Sequence, residues 1–149
     1  MLLSQKQYGD FIVRLKYKSL KGNSGFYFRV QKVDSAVSVK GFQAEIDADG
    51  KDVGGLYETL GRAWVVQPKP EEIKTYYKVK DWNEMTVSAI GGDIAVTVNG
   101  VQTAALKDDP SSREGYFGMQ LHGGQNMHVL FKDVEIKQLP ESVQPESVE

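Results

Sequence analysis

The sequence predicts an all-β fold in which two antiparallel sheets pack into a jelly-roll sandwich. Apolar and polar side chains alternate along most of the chain, as they do in strands with one buried face. Gly-rich turns separate about ten such segments at regular spacing, which is the pattern of antiparallel sandwiches. The one helix-like stretch, residues 69–74, is limited to a single turn by Pro68 and Pro70.

The predicted strands follow from local patterns in chain order. Phe11 and Val13 begin the alternation of the first strand, and residues 21–23 form the turn into the second. Residues 91–93 and 99–100 are tight hairpin turns, because Gly-Gly and Asn-Gly adopt the backbone that such turns need. Further strands are expected at residues 23–31, 41–47, 62–66, 82–90, 94–98, 101–106, 114–122 and 128–139.

Composition indicates one domain, residues 1–140, followed by an acidic disordered tail or linker stub at residues 141–149. The 149 residues are 40% hydrophobic and 26% charged, which suits a globular fold. The net charge of −2 argues against nucleic acid or an anionic membrane as main partner, and no apolar run is long enough to span a membrane. The lack of cysteine excludes disulfides, thiolate zinc sites and a cysteine nucleophile. Met1 leads almost directly into a strand, so we expect no signal peptide in this chain.

Strand alternation places a set of polar side chains on one face of three segments, because successive side chains point to opposite faces. The set is Tyr27, Arg29, Gln43, Glu45, Asp47, Gln120 and His122. The apolar face takes Phe26, Phe28, Val30, Phe42, Ala44, Ile46, Phe117, Met119 and Leu121. A face rich in arginine, histidine, amides and paired acids predicts a polar binding surface, with a merely solvated sheet face as the alternative.

Several motifs in order resemble one family over roughly residues 2–139. They are Asn-Ser-Gly-Phe-Tyr-Phe-Arg at 23–29, Gly-Phe-Gln-Ala-Glu-Ile-Asp at 41–47, Gly-Gly-Leu-Tyr at 54–57, Gly-Met-Gln-Leu-His-Gly at 118–123 and Val-Leu-Phe-Lys-Asp-Val-Glu-Ile at 129–136. The chain resembles DUF1080, also described as 3-keto-disaccharide hydrolase domains, in the concanavalin A-like lectin/glucanase superfamily. Family members usually begin earlier, with a further hairpin. Its absence here predicts an exposed strand edge, covered either by a homodimer through that edge or by a partner that supplies the strand.

The resemblance implies a concanavalin A-like sandwich that acts on an oxidised (3-keto) disaccharide or related glycoside, in a periplasmic or secreted setting. A ketone at C3 acidifies the C2 proton, so a base can remove it and the C1 substituent can leave. Glu45 or His122 is the expected base and Arg29 the expected enolate stabiliser. Substrate contacts are expected from Tyr27, Gln43, Asp47, Tyr57, Trp64, Gln120 and Lys132.

Glu45, Asp47 and Asp49 form an acidic run that resembles the Glu-x-Asp-x-Glu stretch of laminarinase-like glycosidases. On a regular strand they face the same way, with neighbouring carboxylates roughly 6–7 Å apart. Retaining glycosidases need about 5–5.5 Å between the two carboxyl groups and inverting ones about 6.5–9.5 Å. The alternative is a strand that ends in an acidic turn. Asp47, Asp49 and Asp52 are also weak calcium candidates, and no other cofactor is expected.

Two alternatives to an enzyme stay open. One is a non-catalytic carbohydrate-binding module of a larger secreted protein, which the acidic tail favours. The other is a structural or assembly domain without a ligand. The discriminating observation is whether Arg29, Glu45, Gln120 and His122 converge in one groove.

Overall fold

The computed structural model describes residues 2–34, 38–119 and 127–140, which form two antiparallel sheets. The elements are β1 Leu2–Leu3, β2 Phe11–Lys21, β3 Asn23–Lys32, β4 Val39–Asp47, β5 Leu56–Thr59, β6 Ala63–Val66, α1 Pro70–Ile73, β7 Trp82–Ile90, β8 Asp93–Val98, β9 Val101–Leu106, β10 Tyr116–Met119 and β11 His128–Gln138. The predicted all-β sandwich is confirmed. The predicted tail at residues 141–149 lies outside the described residues.

The first sheet has six strands in the order β1-β10-β3-β4-β5-β6, and the second has five in the order β11-β2-β7-β8-β9. Strand β5 is missing from the sequence-based prediction, because its four residues are too short to show alternation. In the described part of the chain the end strands are β1, β6, β9 and β11. The predicted homodimer through a strand edge stays a prediction. No helix of the described residues is long and apolar enough to cross a membrane.

The main core lies between the two sheets. It is built from the alternate apolar residues of both sheets, with the Phe28 and Phe42 rings stacked at 5.4 Å and Phe117 edge-on to Phe11 at 4.7 Å. Burial of aromatic and branched side chains on one face of each strand drives the two sheets together. The opposite face of β3 and β4 therefore points away from this core.

The alternation of β3 breaks at Arg29, which corrects the predicted faces of two residues. Arg29 has a φ of +50°, and the β3–β4 register shifts between Phe28 and Gln31. Such a bulge reverses the side-chain direction of the residues that follow. Arg29 therefore points into the sandwich, while Val30 packs with Tyr27 and Val39 on the outer face.

Two glycines from other segments, Gly41 in β4 and Gly115 just before β10, make room for this bulge. A Cβ at Gly41 would lie 2.9 Å from the Arg29 carbonyl oxygen and from the Val30 Cα, and one at Gly115 would lie closer still to the Arg29 backbone. Gly41 also has a φ of +144°, which only glycine adopts readily. The bulge is thus built into the sequence at three positions that are far apart along the chain.

Candidate functional site

A cavity of about 400 Å³ opens on the outer face of the six-stranded sheet, where β3, β4, β5 and β6 lie side by side. This volume falls in the range of sites for small ligands. The cavity has a polar side, a floor and an apolar side. It is lined by Asn23, Tyr27, Gln43, Glu45, Tyr57, Thr59, Leu60 and Trp64.

Glu45 is the buried acid of this cavity, with only 6% of its surface exposed. Asn23 donates a hydrogen bond from Nδ2 to Oε1, and Gln43 donates from Nε2 to Oε2 at 2.9 Å. The same Gln43 nitrogen donates to the carbonyl oxygen of Ser24 at 3.2 Å, which fixes the amide with its NH₂ towards the carboxyl. Both carboxyl oxygens are therefore held in place by neutral donors.

Burial raises the pKa of the Glu45 carboxyl to about 8. The Asn23 amide opposes this by stabilising the carboxylate, whereas the nearby charges of Asp47 and Asp52 add to it. A carboxyl with this pKa exchanges its proton near neutral pH, which is what a general acid or base requires. Glu45 is thus chemically distinct from an ordinary surface glutamate.

Aromatic side chains form the rest of the cavity. The rings of Tyr57 and Trp64 meet edge-on, with centroids 5.1 Å apart and an interplanar angle of 79°. Tyr27 lies almost fully buried, with its hydroxyl 3.5 Å from that of Thr59, and burial raises the pKa of its phenol. Ring faces beside polar groups suit a sugar, which presents both C–H faces and hydroxyls.

The structure brings together five of the predicted site residues, namely Tyr27, Gln43, Glu45, Tyr57 and Trp64. Asp47 lies beside them, where its Oδ2 accepts a hydrogen bond of 3.2 Å from Asn23. Sequence reasoning missed Asn23, Thr59 and Leu60. Asn23 could have been found, because a strand that begins opposite an acidic residue places its amide next to that acid, and Asn23 pairs with Asp47.

Arg29 is not beside Glu45, which corrects its expected position as an enolate stabiliser. Its guanidinium pairs with Asp10 at 3.1 Å and donates to the carbonyl oxygens of Gly9, Ala89 and Gly91. These partners lie in the other sheet or next to it, because the bulge turns the side chain inwards. Arg29 joins the two sheets and does not line the cavity.

Lys132 is also elsewhere, which corrects its expected place among the substrate contacts. It belongs to β11 of the five-stranded sheet, and its ammonium lies 3.9 Å from the centre of the Trp82 ring. The expected site residues Gln120 and His122 lie outside the described residues. Of the four residues expected to converge in one groove, only Glu45 and Arg29 are among the described residues, and these two do not lie in the same groove.

Two of the three calcium candidates accept local hydrogen bonds with their carboxylates. Asp47 accepts the backbone N–H of Asp49 at 2.8 Å, and Asp52 accepts the side-chain amide of Gln67 at 3.1 Å. In the part of the chain that the structure describes, no three acidic or histidine side chains are grouped as a metal site. Calcium binding stays a prediction.

A larger cavity of about 730 Å³ lies away from this site, between the loop at residues 49–52 and α1. Its walls include Ile73, Tyr77 and the exposed Val79. Its charged side chains are exposed or half-buried, so none has the environment that sets Glu45 apart. Size alone does not mark a site, and the chemistry favours the smaller cavity.

The sequence model of a domain family described as 3-keto-alpha-glucoside-1,2-lyase-like matches residues 1–137. The chain belongs to this family. The predicted resemblance is therefore confirmed over nearly all of the described structure. A search of curated protein sequences gave no significant match.

Solved structures show the same fold. The carbohydrate-binding module CBM66 from Bacillus subtilis has a TM-score of 0.69 and 18% identity, over 91% of this chain and 80% of that one. A "putative glycosyl hydrolase" from Parabacteroides distasonis has a TM-score of 0.67 and 21% identity, over 93% and 76%. CG-16, a homodimeric agglutinin from chicken liver, has a TM-score of 0.55 and 18% identity, over 91% and 98%. The chain is a carbohydrate-associated β-sandwich domain.

Proposed function

We propose that this protein is a lyase that cleaves 3-keto-glucosides by removing the C2 proton, with Glu45 as the general base. The observation that carries the proposal is the buried Glu45 carboxyl, whose pKa is about 8 and whose oxygens are held by two amides inside a cavity of about 400 Å³. The family to which the chain belongs supports the substrate class.

The reaction balances without a further reactant. Glu45 takes the proton from C2, and the C–H electron pair enters an enolate that extends over C2, C3 and the ketone oxygen. When the ketone re-forms, this pair becomes a C1–C2 double bond and the bond from C1 to the glycosidic oxygen breaks. The departing alkoxide takes up one proton, which balances the one that Glu45 removed from C2. The products are an unsaturated 3-keto sugar and a free alcohol.

Neighbouring side chains supply the rest of the site. The Asn23 and Gln43 amides keep the carboxyl oriented, because each is bonded to a different oxygen. Tyr57 lines the same cavity, and its hydroxyl serves as a donor to a sugar hydroxyl or to the enolate oxygen. The Trp64 ring offers an apolar surface to the glycoside.

The test is turnover of methyl 3-keto-α-glucoside, followed by methanol release and by the absorbance of the conjugated ketone product. Glu45→Gln keeps the shape but cannot take a proton, so we expect kcat to fall by about 10²–10⁴-fold. Glu135→Gln is the matched control, because Glu135 is an exposed acid in the other sheet and its loss should leave turnover unchanged. Equal turnover by wild type and Glu45→Gln contradicts the proposal.

The same assay tests the other sequence-based expectations. His122→Ala reports on the second expected base, and addition of calcium or a chelator reports on the calcium candidates. If Glu45→Gln remains active and His122→Ala does not, the base is His122. Full activity in the chelator contradicts a calcium requirement.

The second candidate is a sugar-binding module without catalysis. Both oxygens of Glu45 already accept hydrogen bonds from the amides of Asn23 and Gln43, and this observation favours the second candidate. A carboxyl held in this way can bind a ligand without taking a proton from it. Binding of the methyl 3-keto-glucoside in calorimetry, without release of methanol, would select this candidate. No binding at all would select the structural or assembly domain.

A further inference from the structure

The cavity has an apolar wall opposite Glu45, carried by the hairpin that joins β5 to β6. Leu60, at the tip of the hairpin, and Trp64, in β6, line the cavity together with Tyr57 in β5. A monosaccharide has hydroxyls on most of its carbons, so its C–H faces can stack on aromatic rings, but it offers little to an aliphatic side chain. The aliphatic side chain of Leu60, which completes this wall, suits a ligand group without hydroxyls.

Leu60 is the unusual member of this wall. It is a large apolar residue with 55% of its surface exposed, and its φ of +57° lies in the left-handed region. A bulky side chain rarely adopts this conformation, and its persistence requires support from the surrounding structure. Exposed apolar surface at the mouth of a cavity gains free energy only when a ligand covers it.

The support comes from a clamp below the hairpin. Arg62 donates to both oxygens of Glu58, at 3.0 and 2.9 Å, and to both oxygens of Asp109, at 2.8 and 3.0 Å. Arg62 keeps the pKa of both acids below their usual range. Asp109 follows β9 of the other sheet, so the clamp fixes the hairpin to the body of the protein.

We propose that the wall formed by Leu60, Trp64 and Tyr57 is a subsite for an apolar aglycone, so that the preferred substrates are 3-keto-glucosides with an alkyl or aryl group on C1. This inference rests on the proposed function for the chemistry and adds the class of leaving group. The hairpin clamp makes the wall a preformed surface, so a ligand does not have to order it on binding.

The experiment compares hexyl with methyl 3-keto-α-glucoside. The two alcohols leave with similar ease, so a difference in kcat/KM reports contact with the alkyl chain. We expect wild type to prefer the hexyl substrate by about tenfold or more. Leu60→Asn keeps a residue that tolerates the left-handed backbone but removes the apolar surface, and should lower the hexyl-to-methyl ratio by about threefold or more.

Val79→Asn is the matched control, because Val79 is also an exposed apolar residue, at 65%, but lines the other cavity. It should leave the hexyl-to-methyl ratio unchanged. The use of a ratio removes any loss of folding or of chemistry that affects both substrates equally. Equal kcat/KM for the two substrates in wild type, or an unchanged ratio in Leu60→Asn, overturns the subsite.

Failure of the proposed function gives a different result from failure of the subsite. If neither glucoside is cleaved, the lyase proposal fails, and the ratio is then taken from the dissociation constants of the two glucosides by calorimetry. Tighter binding of the hexyl compound that is lost in Leu60→Asn still supports the subsite. Equal binding of both compounds, or no binding of either, overturns it.

Discussion

Two charged side chains in adjacent strands are almost fully buried, and their surroundings differ. Arg29 in β3 is 2% exposed and faces the interior, where Asp10 and three backbone carbonyls surround its guanidinium. Glu45 in β4 is 6% exposed and faces the outer cavity. Neutral amides hold both of its carboxyl oxygens, and among the described residues no ion pair includes it.

The comparison separates a structural charge from a chemical one. Burial lowers the pKa of Arg29, and the negative charge of Asp10 opposes the change. Burial raises the pKa of Glu45, and the nearby acids Asp47 and Asp52 add to the change. A compensated buried charge holds the fold, whereas an uncompensated one has a proton to exchange near neutral pH.

The largest expected effect is the loss of stability on removal of the compensated charge. Arg29→Met removes the guanidinium donor from Asp10 and from three carbonyls, so the free energy of unfolding should fall by about 3–5 kcal/mol. Urea denaturation followed by tryptophan fluorescence measures it. The control is Arg14→Met, which removes the exposed pair with Glu135 at 2.7 Å and should hardly change the unfolding midpoint. Equal midpoints for both variants would show that Arg29 is not a structural charge.

The next effect is the pH dependence that Glu45 imparts. Its pKa rises from 4.5 to about 8 on folding, so between these values the folded state retains a proton that the unfolded state has lost. The stabilising contribution of this proton is complete below pH 4.5. The free energy of unfolding then decreases by up to about 1.4 kcal/mol per pH unit as pH rises to 8, and the contribution is absent above it.

Urea denaturation of wild type and Glu45→Gln across this pH range isolates that contribution, because other titrations are common to both proteins. As pH rises from 5 to 8, the unfolding free energy of wild type should fall steadily relative to that of Glu45→Gln. A difference that is constant with pH is the result that would refute the raised pKa.

A smaller effect is expected from one of the amides that hold Glu45. The Asn23 amide lowers the pKa of Glu45, so Asn23→Ala should raise that pKa. The increase of kcat/KM with pH for methyl 3-keto-α-glucoside should then occur at higher pH. Gln31→Ala is the control, because this amide donates to the Glu114 carbonyl outside the cavity. A loss of kcat/KM with no displacement of the pH profile would mean that Asn23 contacts substrate and does not tune the carboxyl.

The smallest effect is expected at Lys132. Its ammonium lies over the Trp82 ring on the other sheet, so Lys132→Met should lower the unfolding free energy by about 0.5–1 kcal/mol. Turnover of 3-keto-glucosides should not change. A tenfold decrease in kcat/KM in this variant would return Lys132 to the site that the sequence predicted for it.

Alternation along single strands predicts the parts of this molecule that depend on local geometry. It assigns Phe26, Phe28 and Phe42 to the core and places Tyr27, Gln43 and Glu45 on one outer face, because a regular strand has a period of two. The fold class follows from the same periodicity. The amino-acid sequence alone is therefore enough to predict most of the side chains of β3 and β4 that line the cavity.

The failures have non-local causes. The prediction assigns Arg29 and Val30 to the wrong faces because a bulge interrupts β3, and the glycines that accommodate it lie in other segments of the chain. Lys132 is misplaced because sequence alone does not tell which sheet β11 joins. Leu60 is missed because an exposed leucine at a hairpin tip carries no periodic signal.

The contacts of the Arg29 guanidinium have a consequence for the order of folding events. Its acceptors belong to residues 9, 10, 89 and 91, so the guanidinium can leave water favourably only after segments from distant parts of the chain have assembled. We expect this contact to form after the rate-limiting barrier, so that Arg29→Met accelerates unfolding and hardly slows refolding in stopped-flow experiments. The guanidinium would then control the unfolding rate, and so the lifetime of the native state, while the folding rate would hardly depend on it.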